Sequence, residues 1–382
     1  MLSNSSTNKS SLSQVPRSGQ YRVMIVDDSA IIRGMMTKWL SEEAAIKIVG
    51  TAGNGEMALA SMARFDPEVI ILDIEMPVMD GMTALPKFFE INPKVKVVMS
   101  STLTSRNAEI SMRALSMGAS DYVSKPTSNR EVASSISFQE EIISKVINIA
   151  AATRLRNGQA VFKGKTSVLD KELVPVGGAE KTIEKRKFPS SRSSILVIGS
   201  STGGPQALLT MLKGLGSVNV PILITQHMPA TFTKILAKHL SSATDFDCKE
   251  AEQGDVLENG KVYLAPGDYH MTVVERGGKK MISLNQNAPE NFCRPSVEPM
   301  LRSVIDLYGA ATFAVILTGM GHDGLDACRM LVDAGGKLIA QDQESSVVWG
   351  MPGAVSRAGL CSGIYPLDQI GKTIKEKLMG LA

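Results

Sequence analysis

The chain has 382 residues and a formal net charge of +3, with 43% hydrophobic and 21% charged residues. This composition is ordinary for a globular protein, and the length predicts two or three domains. We expect neither a membrane-spanning segment nor a secretory signal, because no apolar run is long enough to cross a bilayer and the first twenty residues lack an apolar core.

Charge distribution and cysteine usage exclude further classes of protein. Between Arg154 and Arg192 there are ten Lys/Arg and four Asp/Glu, so this segment carries +6 and the remainder of the chain −3. Because these basic residues fall in a predicted linker, a nucleic-acid-binding role is disfavoured. The four cysteines are scattered without a C-x-x-C pair, which favours free thiols in a reducing cytoplasm over a zinc site or a disulfide framework.

After a tail over residues 1–20 that we expect to be disordered, strand-like and helix-like segments alternate up to about residue 149. Five strands are predicted, with helices between them and a further helix from about Asn129. Five such units predict a flavodoxin-like, doubly wound parallel sheet over residues 21–149. The predicted strands are Arg22–Val26, Ile46–Thr51, Glu68–Leu72, Val95–Ser100 and Asp121–Val123.

Polar and charged residues follow four of these strands. They are Asp27 and Asp28 after the first strand, Asp73 after the third, Ser101 after the fourth and Lys125 after the fifth. Because the carboxyl ends of parallel strands meet at one edge of a sheet, these groups should converge. Three carboxylates at one place repel one another unless a cation such as Mg²⁺ binds between them. The lysine charge and the serine hydroxyl are groups that bind an anion. The set therefore predicts an aspartate that accepts a phosphoryl group with metal assistance.

This stretch resembles the receiver domain of bacterial response regulators. The resembling motifs are Val26-Asp27-Asp28-Ser29, Ile71-Leu72-Asp73-Ile74-Glu75-Met76-Pro77-Val78-Met79-Asp80-Gly81, Ser101 and Lys125-Pro126. The resemblance implies that Asp73 is the phosphoacceptor and that Asp27, Asp28 and Asp73 hold Mg²⁺. It also implies a cis Lys125-Pro126 bond and three residues that respond to the phosphoryl group, namely Ser101, Lys125 and the switch aromatic Tyr122. From its position alone, Tyr122 is an ordinary half-buried strand residue.

The regular pattern fades over residues 150–192, which predict an interdomain linker. Residues 193–382 then predict a second α/β domain, a Rossmann-like, mostly parallel wound sheet with an added β-hairpin. The predicted parallel strands are Ile195–Ile198, Pro221–Thr225, Lys261–Ala265, Thr312–Thr318 and Lys337–Gln341. The predicted hairpin strands are Met271–Glu275 and Met281–Leu284, and the predicted helices are Gln206–Leu215, Thr231–Leu240, Val297–Leu307, Gly324–Asp333 and Leu367–Met379.

The first strand of this domain runs into the glycine-rich turn Gly199-Ser200-Ser201-Thr202-Gly203-Gly204-Pro205. Residues 199–203 match the G-x-S-x-G spacing of a nucleophile elbow, in which a sharp turn exposes the serine oxygen above the sheet. A dinucleotide-binding loop is disfavoured because Ser201 stands where its second glycine belongs, and a Walker A loop because no Gly-Lys-Ser/Thr follows. A strand-to-helix turn without chemistry stays open on this motif alone.

A serine nucleophile needs a base, and the chain has only four histidines. His239 lies within a predicted helix, and His270 follows the turn at Pro266-Gly267-Asp268, so we expect structural roles for both. His227 follows the second strand of the domain, and His322 lies in the loop after the fourth. Both of these loops belong to the carboxyl edge of the sheet, where the elbow also lies.

Ser201, His227 and Asp323 can therefore converge at that edge. We expect Ser201 to be the nucleophile, His227 the general base and acid, and Asp323 the carboxylate that orients the imidazole. The glycines around Met320 leave its backbone N–H free to join the elbow in an oxyanion hole. The spacing equally allows a glycine-rich turn in which Asp323 only caps the next helix.

Five ordered motifs resemble the chemotaxis-type protein-glutamate methylesterases, the CheB family, in which a receiver domain precedes the catalytic domain. They are Ile198-Gly199-Ser200-Ser201-Thr202-Gly203-Gly204, Gln226-His227-Met228-Pro229, Leu264-Ala265-Pro266-Gly267-Asp268-Tyr269-His270, Arg294-Pro295-Ser296-Val297 and Leu317-Thr318-Gly319-Met320-Gly321-His322-Asp323-Gly324. The resemblance implies that the catalytic residues are Ser201, His227 and Asp323, with Thr202 and Met320 at the oxyanion site. His322 departs from the family, which commonly has asparagine there, and it could compete with Asp323 for contacts.

The resemblance implies hydrolysis of glutamate γ-methyl esters on chemoreceptor helices with release of methanol, and deamidation of receptor glutamines. It implies that the receiver covers the Ser201 cleft until a chemotaxis histidine kinase phosphorylates Asp73. The expected partners are therefore that kinase and methyl-accepting chemoreceptors, and Mg²⁺ is the expected cofactor of the receiver, with none in the catalytic domain. We expect a cytoplasmic monomer that neither binds nucleic acid nor inserts into a membrane. The alternative is a non-catalytic module that binds a partner under receiver control.

Overall fold

The structure, a computed structural model, describes residues 19–102, 104–125, 136–164 and 183–379. The elements of its N-terminal domain are β1 (Tyr21–Val26), α1 (Ala30–Ser41), β2 (Ile46–Ala52), α2 (Gly55–Phe65), β3 (Val69–Asp73), α3 (Gly81–Ile91), β4 (Lys96–Thr102), α4 (Ser105–Ser116), β5 (Asp121–Lys125) and α5 (Ile136–Arg156). The five strands pair in parallel in the order β2-β1-β3-β4-β5. This order confirms the predicted flavodoxin-like sheet.

The C-terminal domain is organised around a second, larger parallel sheet. Its elements are β6 (Ile195–Ser200), α6 (Gly204–Leu215), β7 (Ile222–Gln226), α7 (Ala230–Ala243), β8 (Asp247–Glu250), β9 (Lys261–Leu264), β10 (His270–Arg276), β11 (Lys279–Asn285), α8 (Val297–Tyr308), β12 (Thr312–Ile316), α9 (Leu325–Asp333), β13 (Lys337–Gln341), α10 (Met351–Arg357), β14 (Gly363–Tyr365) and α11 (Leu367–Leu378). Seven strands pair in parallel in the order β14-β13-β12-β6-β7-β9-β8, and β10 and β11 form the separate antiparallel hairpin. This confirms the predicted wound sheet with an added hairpin. Over the residues given above, no helix is both long enough and apolar enough to cross a membrane.

The sequence pattern did not indicate β8, α10 or β14. The strands β8 and β14 are only four and three residues long and lie at the two edges of the sheet. Because an edge strand is half solvated, neither shows the apolar run of a central strand. The short helix α10 contains Pro352 and Gly353, both of which weaken a helical pattern.

The order of the strands decides where the active-site candidates meet. All residues of β6 are buried, and this strand lies between β7 and β12 at the centre of the sheet. Its carboxyl end carries Ser201, while the neighbouring strands lead into His227 and into the loop of Asp323. A parallel sheet places all three loops at one edge, as expected.

The last helix of the receiver, α5, continues to Arg156, into the segment assigned to the linker from sequence. Arg154 on this helix is buried, with its Nε atom 2.7 Å from Oε1 of Glu68 and its guanidinium 4.5 Å from the ring centroid of Tyr21. A bidentate, stacked arginine of this kind is an integral part of a fold. The basic excess attributed to the predicted linker is therefore partly internal to the receiver.

The two domains share a packed interface. The helix α4 packs on α6 and α7, and Gln206 in the first turn of α6 donates its side-chain amide to the carbonyl of Leu115. Tyr122 on β5 stacks on Phe232 of α7. Apolar residues of α5 belong to the same core cluster as Val348, which precedes α10. The receiver thus contacts segments that follow three different strands of the catalytic sheet, β6, β7 and β13.

Candidate active site and phosphorylation site

Ser201 lies in the tight turn between β6 and α6. Gly203 has a φ of 75°, which favours glycine because it has no Cβ. A Cβ on Gly204 would lie 1.9 Å from Oε1 of Gln226, so the close approach of the two segments also requires glycine. The Ser201 amide donates a hydrogen bond of 3.0 Å to the carbonyl of Thr318, which ties the elbow to the loop after β12.

The buried side chain of Gln226 joins the elbow to the histidine loop. Its Nε2 atom donates to the carbonyl oxygens of Ser201 at 2.9 Å and of His227 at 3.1 Å. Its Oε1 atom accepts a hydrogen bond of 2.6 Å from the hydroxyl of Ser200. One amide therefore sets the relative position of the two loops, because every polar atom it carries is used.

His227 and Asp323 face each other at the same edge of the sheet. The Nε2 atom of His227 lies 2.7 Å from Oδ2 of Asp323. Since a carboxylate only accepts hydrogen bonds, Nε2 carries the proton and Nδ1 is the basic nitrogen. In the described part of the chain the Ser201 hydroxyl has no hydrogen-bond partner, so the serine and the imidazole are not yet joined. Contacts of this kind often form only when substrate is bound.

Asp323 is held in place by further donors. Its carboxylate accepts hydrogen bonds from the Ser296 hydroxyl at 2.6 Å, the Val297 amide at 2.7 Å and the Asn291 side-chain amide at 2.9 Å. Burial by itself raises the pKa of Asp323, but the hydrogen bond and charge of His227 and the bonds from Ser296 and Val297 lower it to about 2. The carboxylate is therefore ionised at neutral pH and fixed in orientation.

Cys293 contacts the other side of the imidazole. Its Sγ atom lies 3.4 Å from Nδ1 of His227, the nitrogen left free by the bond to Asp323. Burial lowers the pKa of His227, whereas the electrostatic influence of Cys293 and the hydrogen bond with Asp323 raise it, and the pKa lies well above 6.5. The thiol thus occupies the place from which a serine proton would reach the base.

Two backbone N–H groups near Ser201 are available to an oxyanion. Neither the Thr202 nor the Met320 amide donates a hydrogen bond to any other described residue. A Cβ on Gly319 would lie 2.9 Å from Cβ of Ser201, so this loop reaches the elbow because glycine precedes Met320. The structure therefore brings the predicted oxyanion residues to the predicted nucleophile.

The other three histidines are not part of the set formed by Ser201, His227 and Asp323. His270 is buried, with Nε2 3.0 Å from the carbonyl of Ala288 and Nδ1 accepting from the Ser296 amide at 3.3 Å. His239 is half-buried on α7. His322 is exposed, and its ring has no hydrogen bond to the described residues, so the structure shows no competition with Asp323 for contacts.

The charged residues predicted at the receiver sheet edge also converge. Asp27, Asp28 and Asp73 offer carboxylate oxygens that lie within 4.8 Å of one another. The Nζ atom of Lys125 lies 2.6 Å from Oδ2 of Asp27 and 2.8 Å from Oδ1 of Asp73. Burial raises the pKa of Asp73 to about 6, with Lys125 opposing this rise and Asp27 adding to it.

This donor set fits a divalent cation. Three carboxylates face one lysine, so the cluster is left with an excess of negative charge when all of them are ionised. The pKa of Asp73 is raised because the site is buried and Lys125 alone does not offset the negative charge of the carboxylates. Hard carboxylate oxygens are the ligands that Mg²⁺ takes in proteins, usually with water completing its shell.

The two remaining receiver residues, Ser101 and Tyr122, contact groups other than the three carboxylates. The hydroxyl of Ser101, at the end of β4, lies 3.2 Å from the hydroxyl of Ser111 on α4. Tyr122 is 4% exposed and so is more buried than its position in a strand suggested, because Phe232 of the other domain covers its ring. The predicted cis bond before Pro126 lies outside the described residues.

The receiver also reaches the oxyanion loop directly. The sulfur of Met320 lies 3.0 Å from the Ser144 hydroxyl and 3.0 Å from the side-chain amide of Asn148, both on α5. Sequence reasoning did not find this contact, nor the support given by Gln226, Ser296 and Cys293. Two of those three lie inside motifs noted above, but only the folded chain shows which atoms they contact.

Comparisons with known proteins agree with this architecture. A family model described as CheB methylesterase matches residues 196–374, and one described as response regulator receiver domain matches residues 23–137. The protein-glutamate methylesterase/protein-glutamine glutaminase 1 of Paramagnetospirillum magneticum is 48% identical over 94% of this chain and 96% of its own length.

A second relative, the protein-glutamate methylesterase/protein-glutamine glutaminase of Azospirillum brasilense, is 48% identical over 93% of this chain and 92% of its own. The crystal structure of the Thermotoga maritima CheB methylesterase catalytic domain is 40% identical, covers 50% of this chain and 100% of that chain, and has a TM-score of 0.47. Because relatives of this identity match across both domains, the chain belongs to the CheB methylesterase family.

Proposed function

We propose that Ser201, His227 and Asp323 carry out the methylesterase and glutaminase reactions of this family member on chemoreceptors. The observation that supports these roles is the 2.7 Å contact between His227 Nε2 and Asp323 Oδ2 at the sheet edge that also carries the half-buried Ser201. Both reactions are acyl transfers from a glutamyl side chain, and they differ only in the leaving group. The relatives carry both activities in their names.

In the first half of the reaction the Ser201 oxygen attacks the carbonyl carbon of a glutamate γ-methyl ester. Its proton moves to Nδ1 of His227, because Nε2 is already protonated and bound to Asp323. The imidazolium then gives this proton to the departing methoxide, and methanol leaves. Cys293 must release Nδ1 before the serine can use it.

In the second half, water takes the place of the leaving group. His227 Nδ1 accepts a proton from the water, whose oxygen attacks the acyl carbon, and the proton returns to the Ser201 oxygen as the ester bond breaks. The product is a glutamate carboxylate. With a glutamine substrate the same steps release ammonia in place of methanol.

The developing negative charge on the carbonyl oxygen needs donors. The unused N–H groups of Thr202 and Met320 supply them, because both lie beside Ser201 and have no competing acceptor among the described residues. Preorganised donors of this kind are typically worth about 10²- to 10³-fold in kcat each. The position of Met320 should therefore contribute to the rate in addition to the nucleophile.

Control by the receiver follows from its contacts. Tyr122 stacks on Phe232 near the histidine loop, and Ser144 and Asn148 bind the sulfur of Met320. These contacts lie on two sides of the Ser201 turn, so a docked receiver restricts the approach of a receptor helix. Phosphorylation of Asp73 by a chemotaxis histidine kinase would favour a conformation in which the two contacts are broken.

The phosphorylation site uses the carboxylate cluster. Asp27, Asp28 and Asp73 would hold Mg²⁺, which would neutralise charge on the transferring phosphoryl group. Lys125 already bridges Asp27 and Asp73 and is placed to pair with the phosphoryl oxygens. The catalytic domain uses only its own side chains and backbone N–H groups in the steps above. The unpaired thiols of the described residues suit a reducing cytoplasm.

The experiment that tests this function is methanol release from methylated receptor membranes. Wild type should release methanol and should do so faster with a small phosphodonor. Asp73→Asn should keep the basal rate and lose the response to the donor. A wild type that binds these membranes without releasing methanol would favour the non-catalytic module instead.

A further inference from the structure

A tight four-residue turn, Glu290 to Cys293, lies beside His227 and Asp323. The Glu290 and Cys293 backbones exchange two hydrogen bonds of 3.1 and 2.9 Å. The two central residues both have positive φ, 51° at Asn291 and 62° at Phe292. This is the pattern of a type I′ turn, whose central positions favour asparagine followed by glycine. Phe292 therefore occupies a backbone position that disfavours a side chain.

Three of the four side chains of this turn are anchored, two of them to the catalytic pair. The contacts are Glu290 with Arg302 at 2.7 and 2.9 Å, Asn291 with Asp323 at 2.9 Å and Cys293 with His227 at 3.4 Å. The turn is thus held rigidly at the rim of the active site. Its remaining side chain, Phe292, has a fixed starting direction because the residues on both sides are bound.

Phe292 itself points into solvent. Its side chain is 88% exposed, the largest value for any exposed large apolar residue in the described ranges. It has no aromatic or cationic ring contact there. Neither local backbone preference nor core packing accounts for a phenylalanine at this position.

The receiver does not cover this residue. Its contacts with the catalytic domain in the described ranges include α6, α7, Met320 and residues 346–348, and none involves Phe292. Phe292 stays exposed in the same conformation in which Tyr122 is stacked on Phe232. The aromatic ring is therefore free for a partner that approaches the active site from the side of the turn.

We propose that Phe292 is a substrate-docking residue that packs against an apolar side chain of the receptor helix bearing the target glutamate. This inference rests on the proposed function. When a helical glutamate enters the Ser201 site, residues three or four positions away lie about 5–6 Å from it along the same face. One of these side chains would contact Phe292 in the Glu290–Cys293 turn. The contact serves the bound substrate and the transition state alike, so it governs KM rather than kcat.

The first variant replaces Phe292 with glycine and so removes the aromatic ring. Phe292→Gly should raise KM for methylated receptor membranes by about 5- to 30-fold and change kcat less than about twofold, as expected for loss of one aromatic anchor. Its Tm should be equal to or higher than that of wild type, because glycine suits a φ of 62°. Impaired docking would then occur in a protein whose fold is intact.

Two control variants test whether the effect on KM is specific to an aromatic ring at position 292. Phe292→Trp should keep the wild-type KM, and so should Met379→Ala, which removes another exposed apolar side chain at the end of α11. An unchanged KM in Phe292→Gly, or a fall confined to kcat, would overturn the proposal.

A binding measurement tests docking independently of turnover. In the inactive background Ser201→Ala, adding Phe292→Gly should weaken cosedimentation with the same membranes. Equal binding by the two proteins would overturn the docking role. Absence of methanol release by wild type would count against the proposed reaction instead, so the two failures are distinguishable.

Discussion

Tyr122 of the receiver stacks on Phe232 of the catalytic domain, with ring centroids 4.4 Å apart and ring planes 4° apart. A stacked pair contributes about 0.5–1.5 kcal/mol beyond its buried area. We therefore expect Phe232→Leu to raise the basal rate of methanol release by about 2- to 10-fold, because the docked form loses that stabilisation. Phe246→Leu, a buried substitution elsewhere in the same domain, should not raise it. An unchanged basal rate in Phe232→Leu would show that the stack does not restrain the enzyme.

Removal of Mg²⁺ should affect the function of the receiver and not that of the catalytic domain. Chelation should abolish activation by a small phosphodonor and leave the basal rate unchanged, because the carboxylate cluster belongs to the receiver. Asp28→Asn should weaken Mg²⁺ binding, measured by titration calorimetry, by about 10-fold or more through loss of one charged ligand. A basal rate that falls with chelation would place a metal in the ester-cleaving step.

Replacing Asp323 should remove the fixed tautomer of His227. Asp323→Asn should lower kcat by about 10⁴-fold, as in other serine triads, since Nε2 would no longer be held protonated. Ser296→Ala removes only one of the bonds to that carboxylate and should cost about 10-fold or less. An equal loss of kcat in the two variants would mean that Asp323 only stabilises the local fold. Single-turnover rates would distinguish these outcomes.

The pH dependence should report the Cys293–His227 contact. His227 works as a base only when neutral, and its pKa lies well above 6.5, so kcat/KM should rise with pH to a half-maximal point above 6.5. Cys293→Ala removes one cause that raises this pKa and should move the half-maximal point to lower pH. A profile that stays in place would mean that the thiol does not influence the base.

The same pKa has a consequence for folding. A pKa raised on folding means that His227 contributes stability that is fully present below about pH 6.5 and is lost as the pH rises through the folded value. The free energy of unfolding should therefore decline through that window. The decline should be smaller in Asp323→Asn, which no longer offers a charged partner to the imidazolium.

Much of the fold could be predicted because its signals are local. The central strands are continuous aliphatic runs, and the glycines at the elbow mark a turn whatever surrounds it. The convergence of Ser201, His227 and Asp323 also followed from one topological rule, that parallel strands end at the same sheet edge. The short edge strands β8 and β14 gave no such run and were missed.

What could not be predicted depends on contacts between distant residues. Asn148 and Met320 are 172 positions apart, and no local pattern on α5 indicates that it reaches an oxyanion loop. Arg154 was assigned to the interdomain linker because its partner Glu68 lies 86 positions away and gives no local signal. The Cys293 thiol carried no pairing signal, since its partner is a histidine rather than a second cysteine.

The most direct test of the catalytic account is methanol release by Ser201→Ala compared with wild type, each with and without a small phosphodonor. The account predicts a loss of about 10⁴-fold or more in the variant, under both conditions, with its Tm unchanged. Release by Ser201→Ala at the wild-type rate would contradict it and would remove this serine from the mechanism.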